Sequence, residues 1–184
     1  MMALAMLALA AASVTAPAPA AQATALPEPI ALGSSGRMQC FSPDRATKTC
    51  AALAGYTAGA DGAIARTETV LLSRRATLTM VTVSPVTIRD GRLCATLHGH
   101  DIEMAGFALD GAPVDEAKQA ALRKSVLASF QDIVDHEICT RFAPDGSAFD
   151  AQITMDGLPK PGLDQTVIWV SAADGYKVAP RSVP

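Results

Sequence analysis

Asp115-Glu-Ala-Lys-Gln-Ala-Ala-Leu-Arg-Lys-Ser-Val-Leu-Ala-Ser-Phe-Gln-Asp-Ile-Val-Asp-His-Glu-Ile-Cys139 is the one long stretch of this chain with a helical period. Ala117, Ala120, Leu122, Val126, Leu127, Phe130, Ile133, Val134 and Ile138 recur mostly three or four apart and line one face, while Lys118, Arg123, Lys124, Asp132 and Asp135 take the other. Asp115 is placed to cap the N-terminus, and Pro144-Asp-Gly lies beyond the far end. About 23 residues at ~1.5 Å each make a rod of roughly 35 Å, enough to cross a small domain. Nearly everything on either side reads as strands and turns. The sequence therefore predicts an α+β fold, an antiparallel sheet of about 5–7 strands packed on one long helix and stabilised by disulfides.

Upstream of the helix, Thr67–Ser73, Thr77–Ser84 and Val86–Arg89 are rich in Val, Thr, Leu and Ile with partial period-two alternation. Pro85 has no N–H for a ladder and predicts a break or an edge. Asp90-Gly91, between two alternating runs, predicts a tight hairpin with both turn residues at positive φ, continuing into a strand over Arg92–Leu97. Ile102–Leu109 reads as a further strand, and Ala148–Met155, Gln165–Ser171 and a short piece at Tyr176-Lys-Val follow the helix. Ser42-Pro43-Asp44 reads as the start of a short helical segment ending before Gly55, with a pair of short extended segments as the alternative. Asp-Gly recurs at residues 61, 90, 110, 145, 156 and 174 with irregular spacing and outside any calcium-loop pattern, so these pairs are turns.

The first charged side chain is Glu28. An apolar run of about a dozen residues before Ala-Pro-Ala-Pro and Ala21-Gln22-Ala23 reads as a secretory signal peptide over residues 1–23, cleaved before Thr24. Pro17 and Pro19 cut the run short of the ~20 residues a membrane span needs. Residues 24–36 read as an extended linker, 37–180 as a single domain and 181–184 as a tail. Cys40, Cys50, Cys94 and Cys139 all follow the signal, an even count that implies two disulfides in an oxidising compartment. The expected pairing is Cys40–Cys50 and Cys94–Cys139. One detail opposes the second: Leu93, Ala95 and Leu97 share a strand face, which turns Cys94 away from a helix covering the leucines.

Net charge is −3, with 15 basic and 18 acidic residues interspersed, and eight aromatic residues stand apart from basic clusters, which disfavours nucleic acid as a partner. His98-Gly-His100-Asp101-x-Glu103 is the most suggestive cluster, and His136-Glu137 supplies a third imidazole if Cys94–Cys139 forms. His98, His100 and His136 are thus the candidate metal ligands, set against solvated histidines at a strand end. Ser129, Asp132 and His136 share a helical stripe, but Ser129 and His136 stand two turns apart, about 10 Å, too far for a nucleophile and its base. Asp132, Asp135, Glu137, Asp101 and Glu103 read as surface charge, and Trp169, among β-branched neighbours, as core. No phosphate-cradling loop and no G-x-S-x-G occurs, and no cofactor is expected. The composite expectation is a small exported bacterial protein, periplasmic or secreted, that binds a protein or small ligand or serves as an envelope accessory. Two alternatives stand beside it: a hydrolase or metal-dependent enzyme using the three histidines, and an interaction module that pairs through a sheet edge.

Overall fold

The computed structural model describes residues 25–73 and 75–181, so the expected signal peptide lies outside the described residues. Eight strands dominate: β1 Met38–Phe41, β2 Ala52–Ala58, β3 Ile64–Leu71, β4 Leu78–Arg89, β5 Arg92–Thr96, β6 Glu137–Asp145, β7 Ala148–Met155 and β8 Gln165–Val170. Each pairs antiparallel with the next, and β8 returns to β1, Phe41 facing Val167 and Met38 facing Val170. The sheet is a closed barrel.

The expected α+β architecture is thereby corrected. A sheet that closes on itself buries its inner face without a helix. The long helix shrinks to α2, Glu116–Ser129, after α1, Gly99–Glu103. Asp115 caps α2 as expected, its carboxylate accepting from Lys118 N–H at 3.0 Å. Beyond Phe130 the chain turns at Asp135 (φ 62) and extends into β6. Ile138 fits the helical stripe, but it also opens the alternation Ile138, Thr140, Phe142, and β6 gains ladders with both β5 and β7, which outweigh a small helical preference. Ala117 and Ala120, expected on the buried face, are exposed.

Other expectations change for related reasons. Residues 42–54 form no helix: a turn over 45–48, bridged by Asp44 and Thr49, leads into the extended pieces Thr49–Cys50 and β2. Ala52, Ala54 and Tyr56 alternate into the barrel, and helix-prone Ala serves there as a small inward side chain. Leu78–Arg89 is one strand through Pro85, and the strand expected over Ile102–Leu109 is split into α1 and Gly106–Leu109. The segment expected as a linker carries Leu26 and Ile30 into the core, where Leu26, Gly33 and Tyr56 meet. Asp90 (φ 50) and Gly91 (φ 70) form the expected hairpin turn, and the Asp-Gly pairs at 110 and 156 repeat it.

Both expected disulfides are present. Cys40–Cys50 is buried on the outer side of β1, under Ile168, Val170 and Tyr176. Cys94 and Cys139 are direct cross-strand partners on the outer face of β5 and β6, so Cys94 does point away from the leucine face, and its partner lies on a strand instead of a helix. The excursion from β5 to β6 carries α1, the hairpin Gly106–Leu109/Ala112–Pro113 and α2, and packs Ile102, Phe107 and Val126 against Met80. Apolar residues face inward while Thr67, Arg141 and Gln152 stand exposed outside, the reverse of a lipid-facing barrel. Among the described residues no helix is long and apolar enough to cross a membrane.

One seam of the barrel is open. β4 pairs with Gly106–Leu109 through Leu78–Val81 and with β5 through Thr87–Arg89, leaving residues 82–86 unpaired on that edge. Asp110 N–H donates to Thr77 O at 3.0 Å, so by antiparallel alternation the odd residues of β4 aim their backbone groups at this edge. Among the described residues, Val83 N–H and C=O therefore have no ladder partner there, and Pro85 places its missing donor on the same unpaired edge. In hydrogen exchange followed by NMR, the Val83 amide should exchange on the order of a hundredfold faster than those of Thr82 and Ser84, which face β3. Equal protection along 82–84 would mean that the seam is closed in solution.

Candidate functional site

The barrel interior is filled at one end and hollow at the other. Phe41, Tyr56, Val86, Leu93 and Val167 pack with Leu26 and Ile30 into one cluster. Toward α2 the inward positions are short: Thr82 and Ser84 on β4, Ala95 on β5 and Thr140 on β6. They leave a cavity of about 240 Å³, walled further by Val70, Met80, Leu97 and Ile138 and roofed by Phe130 and Ile133 from the end of α2. Eight strands enclose just enough space for packed side chains or one small ligand, and here the short side chains leave part of that space unfilled.

Two charged residues line this cavity among the described residues, Arg66 and Glu68, neighbours on the inner face of β3. Their side chains keep 20% and 27% of their surface accessible and form an ion pair through Arg66 Nη2 and Glu68 Oε1. The guanidinium also lies over the Phe41 ring, 5.4 Å from its centroid. Burial works most strongly against the Arg66 charge, but the adjacent Glu68 carboxylate and Tyr56 together outweigh it and hold the pKa above the ordinary guanidinium value. Arg66 Nε is buried without a hydrogen-bond partner among the described residues.

Tyr56 stands opposite Arg66 on β2, and its hydroxyl donates to Gln39 Oε1 at 2.5 Å. Burial pushes the phenol up to about 12, Glu68 adding to the rise and Arg66 opposing it. The folded-state pKa thus lies above the unfolded one of about 10, so the folded protein holds this proton more tightly. The contribution, about 2–3 kcal/mol at ~1.36 kcal/mol per unit, is complete below about pH 10 and is lost as pH rises through about 12. Denaturant midpoints measured from pH 9 upward should fall across that window, and Tyr56→Phe should remove this part of the slope. An unchanged slope in the variant would assign the alkaline loss to other groups.

The histidine candidates do not converge. His98 Nδ1 lies 2.9 Å from Asp135 Oδ1, His136 Nδ1 lies 2.5 Å from Asp156 Oδ2, and His100 stands exposed on α1 with Glu103 at 3.7 Å. Asp156 also accepts from Glu137 N–H, and the His136 contact and this bond hold its carboxyl below the usual range. The one three-residue set of potential donors within ligand distance among the described residues is Cys94, Glu137 and Cys139, and its sulfurs are spent in the disulfide. Ser129 Oγ donates to Ser125 O, Glu137 pairs with Arg89, and Asp101 accepts from His98 N–H. Trp169 packs against the core, its ring centroid 6.3 Å from that of Tyr56.

No family model, curated protein or solved structure matches this chain.

Sequence reasoning missed Arg66 and Glu68. A signal was present, since Ile64, Arg66, Glu68 and Val70 alternate on one strand face, which sets opposite charges two apart between apolar neighbours. It becomes decisive only once both faces of β3 are known. On the far side of the open seam, Pro85, Thr87, Cys94, His98 and Glu137 line an outer groove of about 200 Å³ that shares Ala95 and Thr96 with the cavity.

Proposed function

We propose that this protein is a small exported binding protein, periplasmic or secreted, that holds one small and largely apolar molecule inside its barrel and admits it through the seam between β4 and β5. The carrying observation is the hollow half of the barrel: an apolar wall, a few hydroxyls and one internal ion pair. Binding sites are typically concave and mostly apolar with few polar groups. At ~30 Å³ per water, the cavity suits a ligand on the order of ten non-hydrogen atoms. Two disulfides are compatible with an exported protein and so support the compartment.

The test is a screen of small apolar probes by NMR and thermal shift. Ligands of this size should perturb Thr82, Ala95 and Thr140 together and raise the melting temperature, and Ala95→Leu, which fills the space, should abolish both effects. Shifts confined to outer-face residues would sink the reading. A second reading, strand addition by a partner chain, is favoured by the free edge at Val83, whose side chain is 60% exposed. It calls for protection of the Val83 amide on partner binding, which an internal ligand does not require.

A further inference from the structure

We infer that the molecule held in the barrel is an uncharged amphiphile with a carbonyl-bearing head seated on Arg66 and Glu68, rather than a fatty-acid anion. The inference rests on the cavity-binding reading above and specifies its ligand. A lone cation in an apolar cavity selects an anion. Here the lone cation already has its counter-charge: Arg66 and Glu68 neutralise each other, and both line the same space. A ligand carboxylate would have to displace the Glu68 carboxylate or remain beside it, like charge against like charge in a region that water screens poorly. A ligand ammonium meets Arg66 in the same way. A neutral head meets neither obstacle.

The pair also specifies which neutral head. Arg66 carries five N–H donors and engages Glu68 through Nη2, while a fifth of the side chain stays accessible, so a carbonyl oxygen in the cavity supplies the guanidinium with a further acceptor. The guanidinium is held in place by Glu68 and by the Phe41 ring, so little freedom is lost when it donates. Glu68 engages Arg66 through Oε1, and its other oxygen is suited to accept from an N–H of the same head. A primary amide satisfies both groups at once, while Met80, Leu97, Phe130 and Ile133 receive the tail.

The experiment compares octanamide, octanoate and octylammonium at neutral pH by calorimetric titration, with NMR mapping on Thr82, Ala95 and Thr140. With the wild-type protein, octanamide should bind at least about tenfold more tightly than either ion. Glu68→Gln keeps the shape but leaves Arg66 uncompensated, so octanoate should then overtake octanamide. Arg66→Gln should instead favour octylammonium. If either variant fails to fold, the wild-type comparison decides alone. Octanoate binding as tightly as octanamide to the wild type overturns the inference. Equal binding of all three at the cavity residues also overturns it and leaves the cavity reading standing. No binding and no cavity shifts with any of them overturns the cavity reading itself.

Discussion

Replacing Glu68 with Ala should lower the stability of this protein by about 3 kcal/mol, the low end of the range for breaking a buried ion pair, because 20% and 27% of the two side chains remain accessible. The loss comes less from the missing attraction than from what is left behind. Arg66 keeps its full charge inside the barrel, beside Tyr56 and the Phe41 ring, with an Nε that already has no partner among the described residues. Removing both charges at once has the opposite character. Arg66→Met with Glu68→Leu fills the same volume with apolar atoms and should recover most of the loss, since well-packed apolar replacements of buried pairs are commonly neutral or stabilising. Urea midpoints of the single and double variants measure this directly. If Glu68→Ala alone stays within about 0.5 kcal/mol of the wild type, as surface substitutions do, the pair is solvated and the barrel is more open in solution than in this structure. Recovery in the double variant accompanied by loss of ligand would separate the two roles of the pair: costly for folding, specific for binding.

The same pair shows why the fold was only partly legible in the sequence. Local features came through well. The Asp90-Gly91 turn, the edge character of Pro85, the Asp115 cap and both disulfides were readable because each depends on a few neighbouring residues or on cysteine count. Closure of the barrel was not, because it is a long-range property. The β1–β8 pairing joins Met38–Phe41 to Val167–Val170 across the whole chain, and no local pattern announces it. The helix was overextended for a related reason: Ile133, Val134 and Ile138 satisfy a helical period and a strand period over short windows, and the ladders that decide between them lie on β5 and β7. The site followed the fold. Arg66 and Glu68 look like surface charge until the inner face of β3 is known, whereas His98, His100 and His136 look like a cluster until each is seen beside its own carboxylate.

Removing the Cys94–Cys139 bridge should cost still more, roughly 4 kcal/mol in the chain-entropy account, against roughly 3 kcal/mol of loop closure for Cys40–Cys50, whose cysteines are 10 apart instead of 45. The segment it encloses is the entire helical excursion, both helices and the hairpin between them. The bridge joins direct partners in the β5–β6 ladder, Cys94 and Cys139. Its position adds a local effect. β5 is only five residues long and holds β4 through three residue pairs, Thr87–Cys94 to Arg89–Arg92, beside the unpaired seam. Without the bridge, exchange protection should fall first in β5 and in the excursion, before β7 and β8. The Cys94→Ala/Cys139→Ala variant, followed by urea denaturation and hydrogen exchange, tests both claims. An unchanged midpoint would mean that the unfolded chain keeps β5 near β6 without a covalent link. Set against a total stability of about 5–15 kcal/mol for a domain of ordinary size, the two bridges together account for much of what keeps the barrel closed. Such a protein should survive in an oxidising compartment and struggle in a reducing one, and its hollow interior exists only while the barrel does.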